Sequence, residues 1–482
     1  MRDLRKKILL ESGKTMSRKA RSRPESTRGS PAGSPAPSRA GSRAASRYAS
    51  EDEDAASDSE YDDSIASSVL NSDDGEDNNG VTTAWTDRLQ DRITELLDRK
   101  RSSAKGREST LNAYAHLIRH HYAAEQVEGH FGELVPALLR SVRGGANHEE
   151  TVAALKALTL TILSAQTETV YDQVWNSLKG ACENSDEESV KVEAIDAMSI
   201  AVMCGGGSVE AAEDLMDFLV EIVESDGHSV DAPDNGPVVA AALTAWGFVA
   251  SHLDDLQAQS EQALEAFTEQ LESTDAAVQI AAGINIALIF EAAREYEEAE
   301  GEGDEENGNG ASSGAWNLQY DQHRLVQRMT ALARESSKAV SKKDRKQLHA
   351  SFNSVLTSLE RGKGPGYSTA RRQASNPHTG GSRVDFNDGE FREYGYRERI
   401  RVHNISMTID TWSLSARVEM LRSILGGGLA AHYLENPAVS DLLSAAQVQF
   451  VSAPRKGASS EDYTSSPKKS RGPKGSRSIA GL

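Results

Sequence analysis

A segment that recurs about every 40 residues constrains this chain more than any other feature. Five copies open with polar or turn residues, continue through Val and small Ala positions, and end on bulkier apolar side chains; they cover 105–120, 148–163, 187–202, 236–250 and 275–290. Aligned positions in the copies are Ser109, Thr151, Val190, Val238 and Val278. Their spacing of roughly 40–48 residues is typical of armadillo- and HEAT-like units.

A second apolar helix is predicted between successive copies, at 127–142, 169–184, 211–225 and 260–273. Neither helix of such a pair can bury its apolar face alone, so the units must stack. We therefore predict an all-α fold, an armadillo/HEAT-like helical-repeat superhelix over residues 83–360. Its core should include Leu155, Ile195, Leu243 and Ile286.

Charged segments flank this repeat and account for much of the polar composition. Residues 1–47 hold thirteen Lys or Arg and three acidic residues, whereas residues 51–79 hold twelve acidic residues and no Lys or Arg. Such segments cannot bury enough apolar surface to offset chain entropy, so we predict disordered tails at 1–82 and, basic again, at 451–482. The basic runs at the two ends could contact an anionic surface such as nucleic acid, or the charge runs could only keep the tails solvated. Ser57 and Ser59 each precede an acidic residue by three positions, which makes them candidate phosphorylation sites.

Three further segments complete the predicted organisation. An acidic, Gly- and Asn-rich stretch near 295–315 reads as a disordered insert in the repeat domain, and 361–383 reads as a linker. A small C-terminal domain is predicted at 384–450. It begins with a short strand on which Arg397, Arg399 and Arg401 alternate with apolar residues, and these arginines are candidate phosphate contacts. For Trp412 and His432 we expect core and helix-cap roles.

The sequence shows no constellation that favours catalysis or metal binding. His116 and His120 have the spacing of two zinc ligands, but no Glu follows His116. Neither Gly205–Gly207 nor Gly426–Gly428 continues into a phosphate-binding pattern, and Cys182 with Cys204 suits a core role. We predict no enzyme, no cofactor and no metal site. The first residues lack a signal-peptide pattern and the apolar runs are short for a membrane span, so we expect a soluble, cytoplasmic and/or nuclear protein.

Two motifs carry a family resemblance. One is the basic run Lys342-Lys343-Asp344-Arg345-Lys346-Gln347, followed by Phe352 and an aliphatic pair; the other is the series Ile409-Asp410-Thr411-Trp412, Gly426–Gly428, His432 and Leu434-Glu435-Asn436. Together they resemble the interferon-related developmental regulator family, with Asn353 where that family usually has Arg and Thr411 where it usually has Ser. The resemblance implies a non-enzymatic regulator of gene expression. Members are linked to transcriptional co-repressor assemblies and to ribosomes outside active translation.

Two hypotheses of function remain open from the sequence. In the first, the chain is a scaffold that binds ribosomes or another ribonucleoprotein, with protein partners on the repeat surface. The residues expected to meet RNA phosphates are Lys342, Lys343, Arg345, Lys346, Arg397, Arg399 and Arg401. In the alternative, it is a nuclear transcriptional co-regulator whose repeat groove holds peptides of transcription factors or chromatin complexes. The sequence does not indicate the oligomeric state.

Overall fold

The computed structural model describes residues 81–99, 102–165, 167–303, 316, 320–335, 340–366, 398–402 and 405–450. Helices α1–α8 span Val81–Leu97, Ala104–His120, Ala124–Glu128, Phe131–Gly144, His148–Ala165, Tyr171–Asn184, Glu188–Cys204 and Val209–Glu224. Helices α9–α13 span Gly236–Ala250, Gln257–Gln270, Ala276–Gly303, Gln322–Leu332 and Lys342–Arg361. The predicted all-α helical-repeat fold is confirmed in this part of the chain.

Two rows of helices form the repeat. The inner row consists of α2, α5, α7, α9, α11 and α13, each of which packs against the next, and its first five members are the recurring segments of the sequence. The outer row includes α1, α4, α6, α8 and α10, which pack against inner-row helices. The sixth inner-row member, α13, contains the basic run Lys342–Gln347 and lies beyond the five recurring segments. The basic run therefore belongs to the repeat stack itself.

The inner-row helices run parallel to one another. Along α2 and α5, Arg107 bonds Glu150 near the helix starts and Tyr114 bonds Thr161 further along both. Between α9 and α11, Asn285 donates to the Leu243 carbonyl from the middle of its helix. Because contacting positions advance together along neighbouring helices, all inner-row starts lie at one edge and all ends at the opposite edge.

Burial follows the predicted pattern. Leu155, Ile195, Leu243 and Ile286 are all fully buried, as expected of repeat positions that face neighbouring helices. Helix starts are fixed by side-chain caps, in which a hydroxyl, amide or carboxylate oxygen accepts the N–H three residues on. The residues that act in this way are Ser103, Ser208, Asn235, Asp321 and Ser341.

Helix α11 is longer than its sequence pattern indicated. It continues to Gly303, into the stretch predicted as an acidic insert near 295–315, whose remainder lies outside the described residues. The segment Ala276–Glu298 of α11 is long and apolar enough to cross a membrane, judged by length and composition alone. However, 67% of its most apolar 18-residue stretch is buried inside the protein. That burial explains the apolar character, because α11 packs between α9, α10 and α13.

The C-terminal element, residues 398–450, comprises β1, β2, α14, α15, α16 and β3. These span Glu398–Val402, Ile405–Ile409, Trp412–Leu425, Leu429–Glu435, Pro437–Leu442 and Gln447–Phe450. The antiparallel sheet has the order β1-β2-β3, and Met407 in the centre pairs with Ile400 and Val448. Helix α14 packs on α9 and α11 and reaches α5 and α2, so the element lies against the inner row. The tails predicted at 1–82 and 451–482 lie outside the described residues, except for the start of α1. Residues 367–383 of the predicted linker also lie outside them.

Candidate functional site

The two edges of the inner row differ in what covers them. We call the line of helix starts the N-terminal edge and the line of helix ends the C-terminal edge. Because a helix rises about 1.5 Å per residue, the 20-residue helix α13 separates the two edges by about 30 Å. Each edge is therefore a distinct surface.

The predicted basic contact lies on the N-terminal edge, in the first turns of α13. Lys342, Lys343 and Lys346 are exposed there. The helix begins at Ser341, whose Oγ accepts the Asp344 N–H at 3.1 Å. Arg345 is half-buried, and its Nη2 donates to the Val340 carbonyl at 2.9 Å. The exposed basic surface thus consists of three lysines, while Arg345 also fixes the entry into the helix.

Neighbouring helix starts carry the opposite charge. The exposed acidic residues at the starts of α5, α7 and α9 are Glu149, Glu187, Glu188 and Asp234. Acids are favourable there, because a helix N-terminus carries a partial positive charge of about half an elementary unit. Lysines at the same position are unfavourable by the same argument. Local helix stability therefore does not explain the three lysines of α13.

The C-terminal element, whose first strand includes Arg399 and Arg401, is anchored away from these lysines along α13. Arg399 and Arg401 are in β1, with side chains outside the described part of the structure, and Arg397 is outside it altogether. The C-terminal element meets α13 at Ser358, sixteen residues after Lys342 and therefore about 24 Å along the helix axis. The element is thus anchored near the end of α13 opposite the lysines.

On the C-terminal edge, Trp412 anchors the start of α14. Its indole Nε1–H donates to Ser358 Oγ of α13 at 2.6 Å. The backbone N–H groups of Trp412 and Ser413 donate to the two carboxylate oxygens of Glu291 in α11, at 2.9 and 3.0 Å. Burial raises the pKa of Glu291, and these N–H bonds oppose the rise. Glu291 therefore caps α14 from another helix.

Three side chains of the C-terminal element donate to carbonyls at inner-row helix ends. Arg417 bonds the Ser251 carbonyl, and its Nε bonds Ser251 Oγ at 3.1 Å, just after α9. His432 Nε2 bonds the Ile118 carbonyl of α2 at 2.9 Å, and Asn436 Nδ2 bonds the Leu163 carbonyl of α5 at 3.0 Å. The last four carbonyls of a helix have no partner within it, so these donors satisfy orphan acceptors.

Burial confirms the roles expected for the aromatic and imidazole side chains. Trp412 is 3% exposed and His432 is fully buried. The 3-10 turn Gly426–Gly428 passes so close to α2 that a Cβ on Gly428 would lie 1.7 Å from the Arg119 carbonyl oxygen. Four residues of the second sequence motif therefore hold the C-terminal element on the repeat: Trp412, Gly428, His432 and Asn436.

A buried ion cluster fixes the first helices of the repeat. The carboxylate of Glu150 is fully buried and accepts bonds from Arg99 and from Arg107, each at 2.8 Å, and from Ser141 at 3.0 Å. Burial raises the pKa of Glu150, but the bonds from Arg107, the Ala146 N–H and Ser141 lower it by more. The pKa of this carboxyl therefore lies below its usual value. The guanidinium groups line a cleft of about 260 Å³. Because their remaining bonds go to the Ala137 and Ser102 carbonyls, this cluster is structural.

Among the described residues, no group of three or more His, Cys, Asp or Glu side chains could hold a metal ion. His116 and His120 lie with their rings 4.5 Å apart and are both half-buried. Cys182 is buried in α6, where burial raises its pKa to about 12. Cys182 therefore occupies the core position expected from the sequence.

Sequence reasoning missed several donors and acceptors of the docking bonds. Glu291 follows an apolar run in α11 and Arg417 interrupts the apolar stripe of α14. A polar residue on an otherwise apolar face is a signal of a buried hydrogen bond, and it could have marked both positions. The backbone carbonyls that Arg417, His432 and Asn436 contact leave no trace in the sequence.

Comparison with known proteins agrees with this architecture. The interferon-related developmental regulator (IFRD) family model matches residues 56–360, which include the inner row up to α13. An uncharacterized protein of Schizosaccharomyces pombe is 25% identical over 354 residues, which make up 73% of this chain and 73% of the relative. The family match ends before the C-terminal element, whose resemblance rests on its own motif residues. The chain is a helical regulatory protein that belongs to the interferon-related developmental regulator family.

Proposed function

We propose that this chain is a non-enzymatic scaffold that binds a ribonucleoprotein, foremost the ribosome. The observation that carries the proposal is the set of three exposed lysines, Lys342, Lys343 and Lys346, at the start of α13. The partial positive charge of the helix start disfavours these lysines, so a favourable interaction with a partner would account for their presence. RNA phosphates supply that gain, since each lysine that meets a phosphate releases condensed counterions.

The location of the lysines supports a contact with a large partner. They lie on the N-terminal edge, which the C-terminal element leaves uncovered at α13. Exposed acidic residues on the neighbouring helix starts, such as Glu187 and Asp234, would meet basic protein surfaces beside the RNA. An edge that carries both signs suits a particle made of RNA and protein.

The alternative is a nuclear transcriptional co-regulator that binds peptides of transcription factors or chromatin complexes. One observation favours it: the inner row already accepts the amphipathic helix α14 of this same chain. A face that binds one helix has the small residues and carbonyl acceptors to bind another. In that case the lysines would solubilise the start of α13.

The test replaces Lys342, Lys343 and Lys346 together with Glu in the full chain. We expect loss of ribosome co-sedimentation in a sucrose gradient, and a salt slope of binding that is smaller by about 2–3 for the three lost contacts. The matched control replaces Arg88, Arg140 and Arg324 with Glu, which makes the same change in net charge on exposed sites outside the inner row. That control should bind as the unaltered chain does.

Circular dichroism establishes that each variant is folded. If the folded lysine variant co-sediments normally, α13 is not a contact site. If the unaltered chain does not co-sediment with ribosomes at all, the ribosome proposal fails and the co-regulator takes its place. Treatment with RNase separates contact through RNA from contact through ribosomal protein.

A further inference from the structure

The docking of α15 depends on one protonation state of His432. A carbonyl oxygen can only accept, so the Nε2 that faces the Ile118 carbonyl at 2.9 Å carries the proton. The other nitrogen, Nδ1, accepts from Asn436 Nδ2 at 3.3 Å. Asn436 cannot turn over to offer its oxygen, because its Oδ1 accepts the Ala438 N–H at 3.0 Å and its Nδ2 also bonds the Leu163 carbonyl. The site therefore fits neutral imidazole.

Charged and titratable groups around His432 come from two elements. From α15 itself, Glu435 favours the protonated ring. From the end of α2, the Arg119 carbonyl also favours it and His121 opposes it, while the Tyr122 ring contacts His432 edge-on at 6.2 Å between centroids. Burial outweighs the favourable groups and lowers the pKa of His432 from its ordinary 6.5.

The pKa of His121 is lowered as well, so acid disfavours its buried position too. Its ring stacks on Trp85 of α1 at 4.5 Å, and burial lowers its pKa, with Glu435 opposing and His116 adding to the shift. Two imidazoles at the contact between α2 and α15 thus favour the neutral form. Protonation of either one adds positive charge beside the other.

We propose that protonation of His432 releases α15 and α16 from the ends of α2 and α5, which makes this part of the C-terminal element a pH-sensitive strap. The protonated ring places an Nδ1–H against the Asn436 amide N–H, so one bond is lost and a charge is buried without a counter-ion in contact. The carbonyls of Ile118 and Leu163 become accessible when the strap leaves. The strap is residues 429–442.

The sign of the effect follows from the shifts. A histidine whose pKa is lower when docked stabilises docking fully above its undocked pKa near 6.5, and that stabilisation is lost progressively as the pH falls below 6.5 and through the lower, docked pKa. Glu291, at the other end of the element, has a raised pKa, so its contribution does not fall with acid over this range. The element should therefore open at its His432 end while the Trp412 end stays docked.

Hydrogen–deuterium exchange of the full chain between about pH 5 and 8 tests the strap. After correction for intrinsic exchange rates, residues 429–442 should lose protection as the pH falls, whereas 412–420 should keep theirs. A His432→Gln variant retains a donor for the Ile118 carbonyl and does not titrate, so its protection should not vary with pH. Unchanged protection of the strap in the native chain at all pH values would overturn the proposal.

A second variant covers the case in which His432→Gln fails to dock. Glu435 is exposed and favours the protonated ring in the docked state, so Glu435→Gln should move the loss of protection to higher pH while His432 stays intact. Glu435 acts on His121 in the same direction, so a His121→Gln variant separates the two imidazoles. If the pH dependence disappears in that variant, the sensing residue is His121 and our assignment to His432 is wrong.

Discussion

The two edges of the inner row differ in what satisfies the unpaired backbone groups of the helix ends. At the C-terminal edge, orphan carbonyls of α2, α5 and α9 are satisfied by the chain's own Arg417, His432 and Asn436. At the N-terminal edge, helix starts are satisfied by local caps and by acidic side chains in solvent. Parallel helices give the two edges opposite partial charges. Acidic residues match the starts of α5, α7 and α9, whereas the exposed lysines at the starts of α2 and α13 do not. An edge that the chain itself covers serves stability, which leaves the uncovered edge for partners.

The largest expected difference between the edges is at Trp412. Trp412→Ala should lower the free energy of unfolding by about 3–5 kcal/mol, because a buried indole and its bond to Ser358 are lost. Lys342→Ala on the open edge should change it by less than about 0.5 kcal/mol. Urea denaturation measures both. Trp412→Phe, which keeps most of the ring, should lie between them; equal effects of Trp412→Ala and Lys342→Ala would break the comparison.

A smaller effect is expected from one carbonyl cap. Asn436→Ala removes the donor to the buried Leu163 carbonyl and should cost about 1–3 kcal/mol in the same measurement. Asn436→Asp keeps an oxygen for the Ala438 N–H but loses the donor to the Leu163 carbonyl and to His432 Nδ1, so it separates those two bonds from the contact with Ala438. Should the Asp variant be as stable as the native chain, the cap at α5 contributes nothing.

The smallest effect concerns the open edge. Ser341→Ala removes the side-chain cap of α13 and should cost about 1 kcal/mol, with faster amide exchange confined to the first turn of that helix. Ser341→Asp retains an acceptor for the Asp344 N–H and serves as the control. A loss larger than that of Asn436→Ala would show that the N-terminal edge is the more tightly held of the two.

Elements that depend on local pattern could be predicted from the sequence. The recurring Val and Ala positions gave the inner row, and the full burial of Leu155 and Ile286 follows from their place in each copy. After Trp412 the apolar residues Val418, Leu421 and Leu425 recur at helical spacing, which is typical of a helix such as α14. Gly426 ends that helix with a φ of +49°, a conformation that favours glycine. In these cases the residues that decide the structure are near neighbours in the chain.

Contacts between distant segments could not be predicted in this way. Glu291 caps a helix that begins 121 residues later, and no periodicity connects the two positions. Periodicity likewise gives no sign that the C-terminal element is anchored near Ser358, far along α13 from Lys342. The bond from Arg345 to the Val340 carbonyl depends on the geometry of the loop before α13, which the sequence pattern does not reveal.

The bond from His432 to Ile118 joins residues 314 positions apart, and this separation has a consequence for synthesis. At about 5–20 residues per second, roughly 16–60 s pass between the making of the acceptor and the making of its donor. During that interval α2 and α5 emerge and pack with their last carbonyls uncovered. Nascent chains and products of premature termination therefore share a bare helix edge that the finished protein lacks, and chaperones or proteases that recognise unsatisfied backbone could tell the two apart.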